Sequence, residues 1–327
     1  MTLTELRYIV AVAREKHFGR AAEACHVSQP TLSVAIKKLE EELDVKIFER
    51  GANEVSVTPL GQEIVRQAQS VIEQAAAIKE IAQRGKDPLA GPLRLGIIYT
   101  IGPYLLPELV KHAIDLTPQM PLMLQENFTV KLLDMLRTGE LDCAILAEPF
   151  PDTGLAIAPL YDEPFMAAVP KNHPLAKRKS ITAEELKNET MLLLGTGHCF
   201  RDHVLEVCPE FARFASDAEG IRKSFEGSSL ETIKHMVASG MGVTVVPLLS
   251  VPLKLRQGSA AAAPAVAVPT GDADEREHVR YVPFTPPVPT RRVVLVWRRT
   301  FPRYEAIAAL RNCIYACELP GVTRLTA

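Results

Sequence analysis

The chain of 327 residues has no run of about 18 apolar residues, so the sequence predicts no membrane-spanning helix. The stretch Met1–Tyr8 lacks a basic start followed by an apolar core, so no secretory leader is expected. A glycine-rich phosphate loop is missing, and so is a Ser/His/Asp array at a helpful spacing; nucleotide hydrolysis and triad chemistry are left without support. An excess of one charge is missing too. The net charge is −2, an average that can hide a small basic domain, so each segment needs its own reading. The absences point to a cytoplasmic protein whose six cysteines are reduced at rest. What is there is an ordinary globular composition, 47% hydrophobic and 23% charged, long enough for two or more domains.

The segment Gly195–Cys208 concentrates the reactive residues. His198, Arg201 and His203 crowd around Cys199, and cationic or hydrogen-bonding neighbours favour the reactive thiolate. Cys208 sits among Val204, Leu205 and Val207, an apolar setting that keeps a thiol inert. If the residues between them are helical, the two Cα atoms lie roughly 13 Å apart. A disulfide needs about 7 Å or less, so pairing requires local refolding and makes the segment a redox switch. Two unrelated buried cysteines are the plainer alternative. A metal site from His198, Cys199, His203 and Cys208 ranks last, because its spacing matches no common zinc pattern.

The first sixty residues carry a second signature. Leu6, Ile9, Val10 and Ala13 are spaced for one face of a helix, Arg20 to Cys25 fits a short second helix, and His26-Val27 makes a tight connection. Ser28 is an N-cap and Pro30 falls in the first turn of a third helix, Gln29 to Leu43. Lys46–Arg50 and Glu54–Val57 flank Gly51-Ala52-Asn53 as a β-hairpin wing. This order predicts a winged helix-turn-helix that reads DNA with Gln29, Pro30, Thr31 and Ser33, and holds phosphates with Lys37, Lys38 and Arg50. Its acids, Glu40, Glu41, Glu42, Asp44, Glu49 and Glu54, roughly cancel its bases, so the electrostatic footprint is local. Phe18, Ala21-Ala22, Val27-Ser28-Gln29-Pro30, Leu32-Ser33, Ile36, Leu39-Glu40, Phe48-Glu49-Arg50 and Thr58-Pro59-Leu60-Gly61 together resemble the DNA-binding domain of the LysR-type transcriptional regulators.

Thr58-Pro59 opens a long helical pattern to about Arg84. Ile64, Val71 and Ile78 recur every seven residues, with Ala68, Ala75 and Ala82 four after each, which predicts a dimerising helix. Gly85 to Pro92 ends it as a linker. From Leu93 a β-α-β-α-β order implies a parallel sheet: strands at Leu93–Ile98, Pro121–Glu126 and Leu141–Leu146, helices at Leu105–Ala113 and Val130–Arg137. Thr100 and Thr129 each follow a strand, at the edge where such sheets build sites; capping of the next helix is the alternative role. A second unit has strands at Phe165–Val169, Met191–Leu194, Lys223–Glu226 and Gly242–Val246, with helices at Ile181–Leu186 and Ser229–Ala238. Gln257–Asp274 reads as an exposed insertion, and the strand Val293–Trp297 and helix Tyr304–Ala316 return to the first half.

The expected fold is multidomain α/β. Residues 1–58 form the winged helix-turn-helix, 59–88 the linker (dimerisation) helix and hinge, 89–162 with 275–327 regulatory lobe I, and 163–274 lobe II with the redox cysteines. The two lobes resemble the Rossmann-like effector domain of LysR-type regulators, itself similar to periplasmic binding proteins. Within that family the motif Gly197–Asp202 with Cys208 resembles the OxyR peroxide sensors. Phe200, often Leu there, and the insertion depart from the commonest pattern. The resemblance implies that Cys199 is the peroxidatic and Cys208 the resolving cysteine, joined as a disulfide on oxidation. It also implies a peroxide pocket of Thr100, Thr129, His198, Arg201, Asp202 and Arg291, where Arg292 competes with Arg291 for the alignment. Operator DNA, hydrogen peroxide, a homotetramer built on the linker-helix dimer and RNA polymerase are the implied partners, with no cofactor, metal or enzyme activity, in an oxidative stress response. Cys143 and Cys25 are expected in cores, and Cys313 and Cys317, on one helical face without a nearby histidine, in no metal site. The rival readings are a LysR-type regulator of a small metabolite, a thiol peroxidase, which leaves residues 1–60 unexplained, and a periplasmic binding protein, which lacks its leader.

Overall fold

The computed structural model describes residues 1–50, 55–83, 89–151, 154–209, 224–227, 229–253 and 278–325. The wing tip, the hinge after the linker helix, the Gln257–Asp274 insertion, Lys223 and the side chains of Arg50 and Ala82 lie outside the described residues. No described helix is long and apolar enough to cross a membrane.

The N-terminal unit is three helices and a hairpin: α1 (Leu3–Glu15), α2 (Phe18–Ala24), α3 (Gln29–Leu43), β1 (Phe48–Arg50) and β2 (Val55–Val57). Its core is Leu6, Ile9, Val12, Ala21, Leu32, Ile36, Leu39 and Ile47; of the residues the spacing placed on the inner face of α1, Leu6 and Ile9 are buried and Val10 and Ala13 half-buried, while Tyr8, Ala11 and Val12 take the buried places beside them. The Ser28 hydroxyl accepts from the Thr31 amide at 3.3 Å, as an N-cap should. His17 caps α2 through Nδ1, which accepts from the amides of Gly19 and Arg20. Glu40 is buried, accepting from the Ile47 and Phe48 amides at 2.8 and 3.1 Å and from Lys46 at 3.2 Å. One acid counted against the DNA face is therefore an internal brace that fixes the hairpin to α3.

Helix α4 (Pro59–Gln83) starts where Thr58 caps the Gly61 amide at 2.9 Å. Gly61 admits no side chain, because a Cβ there would lie 2.3 Å from the Ile47 carbonyl. The heptad is not wholly free for a second helix. Ala68 is buried and Ile64 and Val71 are half-buried against the N-terminal core, whereas Ile78 is 69% exposed. The first two repeats thus pack partly within the chain, and Ile78 is the exposed position of the expected seam. Midway, Glu73 turns from this helix to the regulatory body, its carboxylate 2.5 Å from Arg298 and accepting from Thr300 at 2.8 Å.

Among the described residues the body has an eight-stranded mixed sheet that runs through two cores, with a separate two-stranded sheet in the second. Strands β3 (Leu93–Ile98), β4 (Leu122–Asn127) and β5 (Cys143–Ala147) are parallel, with β3 in the middle. Helices α5 (Gly102–Leu116) and α6 (Thr129–Arg137) cross between them, which is the predicted β-α-β-α-β unit. The crossing strand β6 (Ala156–Pro170) is much longer than the expected Phe165–Val169. Its first half pairs with β11 (Thr290–Trp297), which also pairs with β5; its second half pairs with β9 (Thr244–Pro247) and β10 (Val279–Pro283). One strand thus passes through both cores, and a boundary at 162/163 cuts it.

The second core also holds β7 (Met191–Leu194), parallel to β8 (Ser224–Gly227), and the helices α7 (Cys199–Val207) and α8 (Leu230–Ala238). Val279, Tyr281, Val282 and Phe284 pack there as well, so the return to the first lobe comes after them and not at residue 275. The expected helix Ile181–Leu186 is a short 3-10 turn, Ala183–Leu186, opened by Thr182 and Glu185. Helix α9 (Tyr304–Ala316) closes the first core, with β12 (Thr323–Arg324) added to β6. Tyr104 on α5 donates to Glu231 on α8 at 2.5 Å, tying the two lobes across their cleft.

Candidate functional site

The parallel register puts Ile98 beside Asn127, so the two residues after each strand arrive at the same edge. They are Tyr99-Thr100 and Phe128-Thr129, an aromatic followed by threonine twice. Gly197, His198 and Cys199 come from the other lobe to face them, and together with Ile98 and Asn127 these residues line one small hollow. His198 is buried against the rings of Phe128 and Tyr99, with centroids 4.9 and 5.8 Å away. Gly197 has φ +98°, a left-handed conformation, and a Cβ there would meet the Phe128 ring at 3.3 Å. The space open to a water-sized molecule is about 10 Å³, and even the whole hollow with its open mouth is about 170 Å³. One water-sized or slightly larger molecule fits; pockets for larger ligands begin at roughly 300 Å³.

Neither threonine caps a helix. The N-caps of α5 and α6 are Ile101 and Phe128, without side-chain capping bonds, so both hydroxyls are spared for the hollow. The Thr100 hydroxyl accepts from Arg291 at 2.8 Å, and its carbonyl accepts from the same guanidinium at 2.9 Å. Arg291 is buried, paired with buried Glu163 at 2.8 Å and stacked over Phe200 at 5.3 Å. Arg292, one residue on in the same strand, points the opposite way and pairs at the surface with Asp162 at 2.9 Å. Strand alternation thus places Arg291, not Arg292, behind the hollow. Thr129 Oγ1 is buried with no well-formed hydrogen bond, and its electrostatic partner is the Cys199 thiol.

Cys199 opens α7 and is half-buried. Burial pushes its thiol above the ordinary value, while Thr129, Arg291 and its own amide at the helix start pull it down and Asp202 pushes it up. Of the neighbours that sequence proximity suggested as activators, His198 lines the hollow with Cys199, but two are elsewhere. Arg201 is buried with its guanidinium on the Leu194 carbonyl at 2.9 Å, fixing the end of β7. His203 is buried with Nε2 on the Glu148 carbonyl at 2.7 Å, and burial holds its pKa down. Asp202 is exposed and does not line the hollow. Of the expected pocket residues, Thr100, Thr129 and His198 line it, Arg291 backs it, and Arg201 and Asp202 lie outside. The lining by Tyr99, Asn127 and Phe128 was missed, though the repeated aromatic-threonine pair after two strands was a signal for it.

Cys208 is the C-cap of α7, fully buried in the second core. Helix α7 is continuous from Cys199 to Val207, so the condition for a separation of roughly 13 Å along its axis is met. Both cysteines are free thiols. In the N-terminal unit, Gln29, Pro30, Thr31, Lys37 and Lys38 are exposed on α3, and Ser33 is half-buried. Thr31 Oγ1 is 2.8 Å from Ser28 Oγ, and Lys37 is 3.6 Å from Glu41. Val34, on the same helix, is 67% exposed and was not among the expected contact residues.

Comparison with known proteins agrees with this geometry. The helix-turn-helix profile of bacterial regulatory proteins of the lysR family matches residues 3–62, and the LysR substrate binding domain matches residues 86–270. A hydrogen peroxide-inducible genes activator of Pectobacterium carotovorum is 39% identical over 311 residues, 94% of this chain and 95% of the relative. The solved full-length OxyR of Pseudomonas aeruginosa, a cysteine-to-aspartate variant, is 50% identical with a TM-score of 0.75, covering 97% of this chain and 96% of that one. A hydrogen peroxide-bound OxyR mutant of Corynebacterium glutamicum is 30% identical with a TM-score of 0.58, covering 96% and 91%. The chain belongs to the LysR family of bacterial regulators and, within it, to the OxyR group.

Proposed function

We propose that the chain is a cytoplasmic DNA-binding transcriptional regulator switched by hydrogen peroxide, and not an enzyme. The observation that carries this reading is the hollow itself: a thiol, a buried hydroxyl with no other bond and a backing guanidinium around space for one very small polar molecule. A metabolite-sized effector does not fit that space.

Peroxide bound there meets Cys199 at one oxygen. The thiolate forms the S–O bond, the O–O bond breaks, and the electron pair leaves with the second oxygen. That oxygen takes the proton given up by the thiol, relayed through Thr129 and His198, and departs as water. The sulfenic acid then condenses with the Cys208 thiol, forming the S–S bond and releasing a second water. Because α7 separates the two sulfurs, the condensation unwinds it, and the end of β7 held by Arg201 and the Glu148 contact held by His203 shift with it.

The DNA contacts are Gln29, Pro30, Thr31, Ser33 and Val34 toward base edges, with Lys37, Lys38 and Arg50 toward phosphates. An exposed valine on a recognition helix suits a thymine methyl. Residues 1–58 bind DNA, 59–88 carry the linker helix and hinge, and the lobes meet in β6; α4 pairs with a second copy around Ile78, and two such dimers make a tetramer that recruits RNA polymerase. The test is mass spectrometry of peroxide-treated protein together with an operator shift assay. The expected result is a Cys199–Cys208 disulfide and a changed shift pattern; an unchanged pattern with the disulfide formed, or oxidation at other cysteines only, overturns the reading.

A further inference from the structure

The Cys313/Cys317 pair looked inert in sequence because no histidine stood near it; the fold supplies one. Glu108 and His112 are four residues apart on α5, and Cys313 and Cys317 are four apart at the end of α9, which packs against it. The Glu108 carboxylate, a His112 ring nitrogen and the Cys317 sulfur all lie within 4.8 Å of one another. Cys313 faces the same seam, with its sulfur 3.9 Å from the His112 carbonyl. The Glu108 carboxylate is held in place by the Glu318 amide, which donates to it at 2.6 Å. Cys317 is buried, whereas Glu108 and His112 are half-buried, so the group has a wall and an opening.

We propose that Glu108, His112 and Cys317 form a binding site for a thiophilic divalent cation of the zinc class, distinct from the peroxide hollow. The donor set decides the class. One sulfur, one nitrogen and one oxygen suit zinc, whereas calcium and magnesium take oxygen. Donors around tetrahedral zinc stand roughly 3.5 Å apart, so the group needs a contraction of about 1 Å, within reach of side-chain rotation. Three protein ligands leave a fourth position for water. In the empty site the Cys317 thiol donates to the Cys313 carbonyl at 3.2 Å, a bond that a cation would replace. The site is separate from the switch. Glu108 lies six residues into α5, roughly 9 Å along the helix from its start at Gly102. A bound cation would clamp α5 to α9 and brace the first core behind Thr100.

Cobalt(II) serves as the probe, because a thiolate ligand gives it a charge-transfer band and tetrahedral ligands give it intense visible bands. The reduced full-length protein is titrated anaerobically with cobalt and then with zinc as competitor. The proposal expects one cobalt per chain with both features, displaced by zinc. Cys317→Ser removes the charge-transfer band, and His112→Ala, at a half-buried position that tolerates truncation, weakens binding by about 100-fold or more. Cys199→Ser keeps the band. Absence of the band in excess cobalt, its persistence in Cys317→Ser, an unchanged affinity in His112→Ala, or its loss in Cys199→Ser each overturns the proposal. A thermal melt of each variant checks that it is folded; if Cys317→Ser is not, His112→Ala decides alone.

Discussion

The two ends of helix α7 hold the same chemical group in opposite surroundings. At the start, Cys199 borders a hollow, beside a hydroxyl with no other bond and near a buried cation. At the end, Cys208 is fully buried as a member of the second core. One sulfur can be reached and the other cannot until the helix opens. Under the proposed function, the difference sets the order of the switch: reaction at Cys199 first, exposure of Cys208 second. Had the two shared one environment, either could react first, and no conformational change would be tied to the oxidation.

The largest effect expected is from Cys199→Ser, which should abolish the peroxide response while the reduced protein folds and binds DNA; a shift assay with and without peroxide measures it. Cys208→Ser should sharpen the contrast from the other side. Its Cys199 still reacts, but the sulfenic acid persists or oxidises further, visible by mass spectrometry as added oxygen without a disulfide. Thr129→Val removes the buried hydroxyl nearest the Cys199 thiol, part of what sets its surroundings apart from those of Cys208. The hydrogen bond this hydroxyl would offer the reacting oxygen, about 1–3 kcal/mol, is then missing, so stopped-flow oxidation should slow roughly 10- to 100-fold without a change in thiol count.

The smallest effect is on pH dependence. His203 is buried with its pKa held below the ordinary value, so the unfolded chain takes up its proton first as pH falls. Above about pH 6.5 both states are neutral and the group contributes nothing to the slope; below it the folded state loses up to about 1.4 kcal/mol per pH unit, until its own lower pKa is reached. Thermal melts of the protein and of His203→Gln between those pH values should diverge as the pH drops, the variant losing less.

Much of this was legible beforehand because it is local. Ser28 and Pro30 fix the start of α3 by backbone chemistry that no tertiary contact overrides, and Thr58-Pro59 does the same for α4. The threonines could be placed at the sheet edge because a βαβ order leaves little choice. Long-range pairing was not legible. The first half of β6 contains Pro159, Asp162, Glu163 and Pro164, which read as a break; β11 holds it extended, with a register shift at Val293/Val294. Arg291 and Arg292 are indistinguishable in sequence, and only the pairing of β11 with β6 sends one inward to Glu163 and the other outward to Asp162. Nearness in sequence misled for Arg201 and His203, because successive helical residues point in different directions, here to Leu194 and Glu148 instead of the sulfur. The cysteines of α9 show the converse: their partners, Glu108 and His112, stand two hundred residues away on α5.

The central claim is that joining Cys199 to Cys208 requires α7 to unwind. Hydrogen exchange of the backbone amides between 199 and 208, in reduced and in peroxide-oxidised protein, tests it most directly. In the reduced state the Cys208 amide donates to the Val204 carbonyl at 2.9 Å, so it should be protected along with the last turn of the helix. After oxidation the account predicts that this protection is lost across α7 while the strand β3 keeps its own. Equal protection of α7 in both states, with the disulfide confirmed by mass spectrometry, would contradict it.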